Sequence, residues 1–99
     1  MGTRTSIIEK TRIRVKEPKR YKVIMHNDDF TSMEFVIFVL MNIFNKNEVE
    51  ANELMIRVHK GGSAMVGVYS YDIAKSKVEE TTLLAREEGF PFKVTIEVA

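Results

Sequence analysis

Two histidines, His26 and His59, and a run of three polar turn-formers, Asn27, Asp28 and Asp29, are the side chains of this sequence with the most chemistry to offer. Paired as acid and base, His59 could act with Asp28 or Asp29; gathered around a divalent cation, His26, Asp28, Asp29 and His59 could serve a metal-dependent hydrolase. Their spacing matches no metal motif, and the chain has no glycine-rich phosphate loop, G-x-S-x-G elbow or H-E-x-x-H. No reaction is named, and no cofactor or resident metal is expected. The plainer readings are a histidine favoured at a helix C-terminus and a polar turn leading into a helix. A second pattern adds to the first. Met25, Met33 and Met55, three of the six methionines, lie beside that turn or on a helical stripe facing it. Methionine is flexible and polarizable, so it fills cores and also lines surfaces that accept varied guests. A carboxylate- and amide-rich turn beside a Met-lined hollow combines what is needed to hold a free α-amino group on a large apolar side chain.

The elements that must position these residues are legible. The β-prone run Tyr21 to His26 stops at the Asn27–Asp29 turn. Thr31 with Glu34 reads as a capping box opening a buried helix from Met33 to Phe44. Asn47 with Glu50 opens a second helix on the stripe Ala51, Leu54, Met55 and Val58, which Gly61 and Gly62 end. Ala64, Val66 and Val68 alternate as a strand, and Ser70 caps a third helix on the stripe Ala74, Val78, Thr81 and Ala85. Gly89 and Pro91 stop it, and Phe92, Val94, Ile96 and Val98 alternate as the last strand. The order β-α-α-β-α-β predicts an α+β fold, a three-stranded, mainly antiparallel sheet covered by three helices.

With 99 residues, 44% of them hydrophobic, the chain has material for one core and not two. The absence of cysteine excludes disulfides, thiolate zinc sites and cysteine nucleophiles. The longest apolar run, Phe35 to Met41, falls far short of the roughly 18 residues of a membrane span, and the first twenty residues lack the apolar stretch of a secretory signal. A cytoplasmic monomer is the expectation. Charge is unevenly divided: residues 1–20 hold seven Lys or Arg against two Glu, and residues 21–99 hold eight against twelve acids. Residues 1–20 therefore read as a flexible basic extension and residues 21–99 as an acidic folded domain, without the basic face that nucleic acid would need.

The string YKVIMHNDDFTSMEFVIFVL, followed by LMIRVHKGGSAMVGVYSYDIAKSKV and FPFKVTIEVA, resembles the ClpS family of adaptors for Clp proteases. The likeness runs from about Tyr21 to Ala99 and rests on N-D-D-x-T-x-M-E-F-V, V-H-x-x-G-x-x-x-x-G and a downstream A-x-x-K. It implies an adaptor and not an enzyme: a domain that binds N-degron clients by a free α-amino group and a bulky first residue (Phe, Leu, Tyr or Trp). Clients would then pass to the N-terminal domain of a ClpA- or ClpC-type unfoldase. Carried over by position, the α-amino clamp falls on Asn27, Asp29 and His59, with Asp28 beside the client backbone. The apolar pocket falls on Thr31, Met33, Val36, Met55, Val58 and Phe92, with Met25 as a further wall, and the unfoldase-facing surface on Asp72 and Lys77. An ammonium has three donors, and an Asn carbonyl, a carboxylate and a neutral imidazole nitrogen can each accept one. The sequence departs from the family at Ser32, where proline is common, at Asp72, where a longer acid is often seen, and at Phe92, where leucine is usual; Phe92 is expected to narrow the pocket against Trp. The rival implied by architecture alone is an interaction domain resembling the C-terminal domain of the ribosomal stalk protein, which would not need Asn27, Asp29 and His59.

Overall fold

A computed structural model describes residues 18–99, so the extension expected over residues 1–20 lies mostly outside the described residues. Six elements follow: β1 (Tyr21–His26), α1 (Met33–Asn42), α2 (Glu48–Gly61), β2 (Ser63–Tyr69), α3 (Tyr71–Glu87) and β3 (Lys93–Val98). This is the α+β order the sequence predicts. Both pairings are antiparallel, in the spatial order β2-β1-β3. The strand leading into the polar turn is thus the central one. Val23 and Met25 on one face of β1 are fully buried with Val94 of β3 and the inward residues of the helices, among them Val39, Leu40, Ala51 and Ala74. The opposite face carries Lys22, Ile24, Thr95 and Glu97, with His26 Nε2 2.8 Å from Thr95 Oγ1.

Three local features differ from the sequence reading, each for a physical reason. The first helix begins one residue later than a Thr31 cap implies: Ser32 is the N-cap, its Oγ accepting from Phe35 N at 3.2 Å, because Thr31 is taken by Asp28. That helix also closes at Asn42 and not Phe44. The chain turns through Asn45 at φ 56°, a left-handed conformation asparagine tolerates, and Lys46 N donates to Leu40 O. Ser70 stands at the N-cap of α3 in extended conformation without a side-chain capping bond. The Asn47–Glu50 box forms in full.

On β2 the register steps between Val23 and Ile24, leaving Val66 as the extra residue of a bulge. Ala64 and Val66 point inward as the alternation predicts. Beyond the bulge the phase reverses, so Gly67 and Tyr69 face the core opposite Val23 and Tyr21, while Val68 joins Lys22 on the outer face. Gly67 makes this possible, since a Cβ there would collide with the Tyr69 ring that lies over it.

Lys77 reaches from α3 to the end of α1. Its Nζ donates to Ile43 O at 2.6 Å and lies 5.6 and 5.5 Å from the centroids of Phe44 and Tyr69. A half-buried ammonium on an orphan helix carbonyl between two aromatic rings fastens α3 to α1. Lys77→Met is expected to lower stability by about 1–2 kcal/mol, read as a reduced urea midpoint with an unchanged slope. A midpoint equal to wild type would mean that the bond contributes nothing in solution.

Candidate functional site

Where β1 ends, the chain meets the end of α2. Gly62, the left-handed cap of α2 at φ 87°, turns its carbonyl to accept Asn27 N at 2.8 Å, and Asn27 Nδ2 donates to His59 O at 3.4 Å. Only a residue without Cβ adopts that φ at little cost. With its NH₂ committed to a helix carbonyl, Asn27 is left with Oδ1 as an open acceptor.

Asp28 then shapes the loop. Its Oδ1 accepts from Phe30 N at 2.8 Å and Thr31 N at 2.7 Å, and its Oδ2 accepts from the Thr31 hydroxyl at 2.7 Å. Partial burial pushes the Asp28 carboxyl upward. The bonds from Thr31 and Phe30, with the Arg86 charge nearby, more than offset this and hold it below the ordinary carboxylate value. Asp28 is therefore the organiser of the turn, with most of its acceptor capacity already used. Asp29 and His59 are exposed, and neither side chain has a hydrogen-bond partner among the described residues.

Between this loop and the two helices lies a hollow of about 410 Å³. Its rim is Asn27, Asp28, Asp29, Phe30, Thr31, Ser32 and His59, and its apolar walls are Met33 and Val36 from α1 with Met55 and Val58 from α2. Spacings of three on each helix put these residues on one face, so two short helical segments suffice to make two walls. Val36 and Val58 are buried, while Met33 remains 47% exposed at the mouth. The polar side is electronegative: Asp28 and Asp29 stand beside the C-terminal carbonyls of α2, the negative end of the helix dipole. A guest with a cationic head and an apolar body matches both halves.

Of the expected site residues, nine converge here and four do not. Met25 and Phe92 are 0% and 1% exposed and belong to the core; Phe92 packs edge-on to Phe35 with centroids 6.1 Å apart, and neither lines the hollow. Met25 alternates with the outward Ile24 on β1 and so faces the core, while Phe92, just before β3, is enclosed against Phe35; neither is free to form a wall of the hollow. Asp72 is exposed in the first turn of α3, away from the hollow, and Lys77 is held by Ile43 and the two rings. His26 faces Thr95, and among the described residues no three His, Asp or Glu side chains cluster as metal ligands. Two rim residues escaped the sequence reading of the site, Phe30 and Ser32; the signal for Phe30 was a large apolar residue inside a polar turn.

Loss of the Asp28 hydrogen bonds should loosen the loop, and Asp28→Asn is expected to cost about 1 kcal/mol at pH 7. Because the native carboxyl lies below its unfolded value of about 3.9, the wild-type advantage is complete above that pH and disappears as pH falls through the lower native value. Urea unfolding of both proteins should give the same gap at pH 7 and pH 5 and a smaller one at pH 3. A gap unchanged at pH 3 would contradict the assignment.

Comparison with known proteins bears on the family and the fold. Residues 16–95 match the family model "ATP-dependent Clp protease adaptor protein ClpS". The adapter protein ClpS of Clostridium acetobutylicum is 47% identical over 98 residues, 97% of each chain, and that of Wolinella succinogenes is 48% identical over 88 residues, 89% of this chain and 86% of its own. Among solved structures, Agrobacterium tumefaciens ClpS2 bound to L-phenylalaninamide superposes with a TM-score of 0.81 at 43% identity, covering 84% of this chain and all of that one. No helix among the described residues is long and apolar enough to cross a membrane. A shared family at this identity and coverage, with the same fold, makes the chain a member of the ClpS family of ATP-dependent Clp protease adaptor proteins.

Proposed function

We propose that the hollow captures the first residue of a client chain, with Asn27, Asp29 and His59 accepting the three N–H bonds of a free α-ammonium. Met33, Val36, Met55 and Val58 enclose its side chain. The observation that carries this reading is the placement of three uncommitted acceptors at the rim of an apolar recess. Each charge-assisted bond contributes about 1.5–3 kcal/mol, and burial of a Phe or Leu side chain about the same. After association costs, the sum corresponds to roughly micromolar binding, weak enough for release to a protease. The relative bound to L-phenylalaninamide supports the reading, because that ligand carries a free amine and a benzyl group and no carboxylate.

Selectivity follows from the same parts. An internal Phe lacks the ammonium, and a β-branched first residue crowds Met33 at the mouth. Because Phe92 lies off the hollow, it is no longer a reason to exclude Trp, and Phe, Leu, Tyr and Trp are the proposed first residues. On this reading the domain acts as an adaptor without chemistry of its own. It passes the client to the N-terminal domain of a ClpA- or ClpC-type unfoldase through the exposed end of α3 around Asp72, and the basic segment 1–20 serves delivery and not capture. Lys77 contributes there by holding α3 in place.

Fluorescence anisotropy with a Phe-starting peptide and its N-acetylated twin tests the clamp. Acetylation is expected to weaken binding at least about 100-fold, and His59→Ala about 10-fold or more with an unchanged melting temperature. Equal affinity for the two peptides would overturn the proposal.

A further inference from the structure

A second hollow, of about 540 Å³, is lined by Phe30, Arg86, Gly89, Phe90 and Pro91. Phe30 is the one residue common to both linings, and it is 75% exposed. A bare aromatic residue shared by two recesses leaves apolar surface in water that a guest could cover. The facing wall is firmly built. Arg86 Nη1 donates to Phe90 O at 2.6 Å and to Phe92 O at 3.4 Å, so the guanidinium is held as a fixed plate, and no carboxylate among the described residues lies within ion-pair distance of it. Phe90 is anchored to the core through Phe35, with centroids 5.1 Å apart.

We infer that this second hollow binds an aromatic side chain at the third residue of a client whose first residue fills the first hollow, and the inference rests on the reading of that first hollow. In an extended chain, residues one and three point to the same side and lie roughly 7 Å apart, while residue two points away. That spacing is about two ring thicknesses, so the first and third side chains can straddle the Phe30 ring. The third ring then stacks on Phe30 and meets the guanidinium plate of Arg86, a combination of aromatic and cation–π contact. Client preference is thereby read from two positions, with the amine setting the register between them.

Anisotropy titrations with peptides beginning Phe-Ala-Ala, Phe-Trp-Ala and Phe-Ala-Trp, each with an acetylated control, test this against wild type, Phe30→Ala and Phe30→Tyr. Tryptophan at the third position is expected to tighten binding about three- to tenfold over alanine, and tryptophan at the second to give no gain. The ratio between Phe-Ala-Trp and Phe-Ala-Ala should fall to about one in Phe30→Ala and persist in Phe30→Tyr, whatever happens to the affinities themselves. No gain at the third position, an equal gain at the second, or a gain that survives Phe30→Ala overturns the inference while leaving the first hollow intact. Binding of Phe-Ala-Ala that is indifferent to acetylation removes both readings.

Discussion

The joint between Asn27 and the last turn of α2 is the constraint on which the site depends. Two hydrogen bonds, to the carbonyls of Gly62 and His59, bring the end of a strand to the end of a helix more than thirty residues away in sequence. They do two things together: they fix where the loop starts, and they turn the Asn27 amide so that its Oδ1 is left as an open acceptor. Asp28 completes the arrangement from within the loop by satisfying the N–H groups of Phe30 and Thr31. The three successive polar residues thus have three separate duties, of which the first joins, the second shapes and the third presents its charge.

Electrostatics and shape divide the hollow into two unlike halves. Acidic side chains and helix C-terminal carbonyls make one side of the hollow favourable to a cation, whereas the walls are hydrocarbon and thioether. Neither half alone defines a ligand, since an acidic turn is common and a methionine stripe is commonly core. Their adjacency carries the information, and it arises because β1 leads directly into the loop that packs over α2.

The fold was largely legible because periodicity and capping agree along the chain: the β-prone run Tyr21 to His26, the Asn47–Glu50 box and the Gly62 stop all appear where the pattern puts them. The departures arise where one side chain had two possible partners. Thr31 could cap the helix or bond Asp28, and a carboxylate with two further donors nearby won it, leaving the cap to Ser32. The bulge at Val66 could not be read from alternation because Gly67 offers no side chain to mark the change of phase. The resemblance puts Lys77 on the unfoldase-facing surface, and its bond to Ile43 was not legible because it depends on where another helix ends. Within the site, likeness to the family by position put Met33, Val36, Met55 and Val58 together, and all four line one hollow; it could not tell Met25 and Phe92, which lie in the core outside that lining, from residues that face it.

The central position of β1 has a bearing on biogenesis. The strand from which the loop springs is hydrogen-bonded along its whole length to β3, and the side-chain bond from His26 to Thr95 spans 69 positions. A nascent chain that has emerged only as far as α3 lacks one flank of the platform. Closing so distant a pairing is also slow compared with local helix formation. The platform under the recess is therefore complete only once β3 has been made and has closed on the free edge of β1.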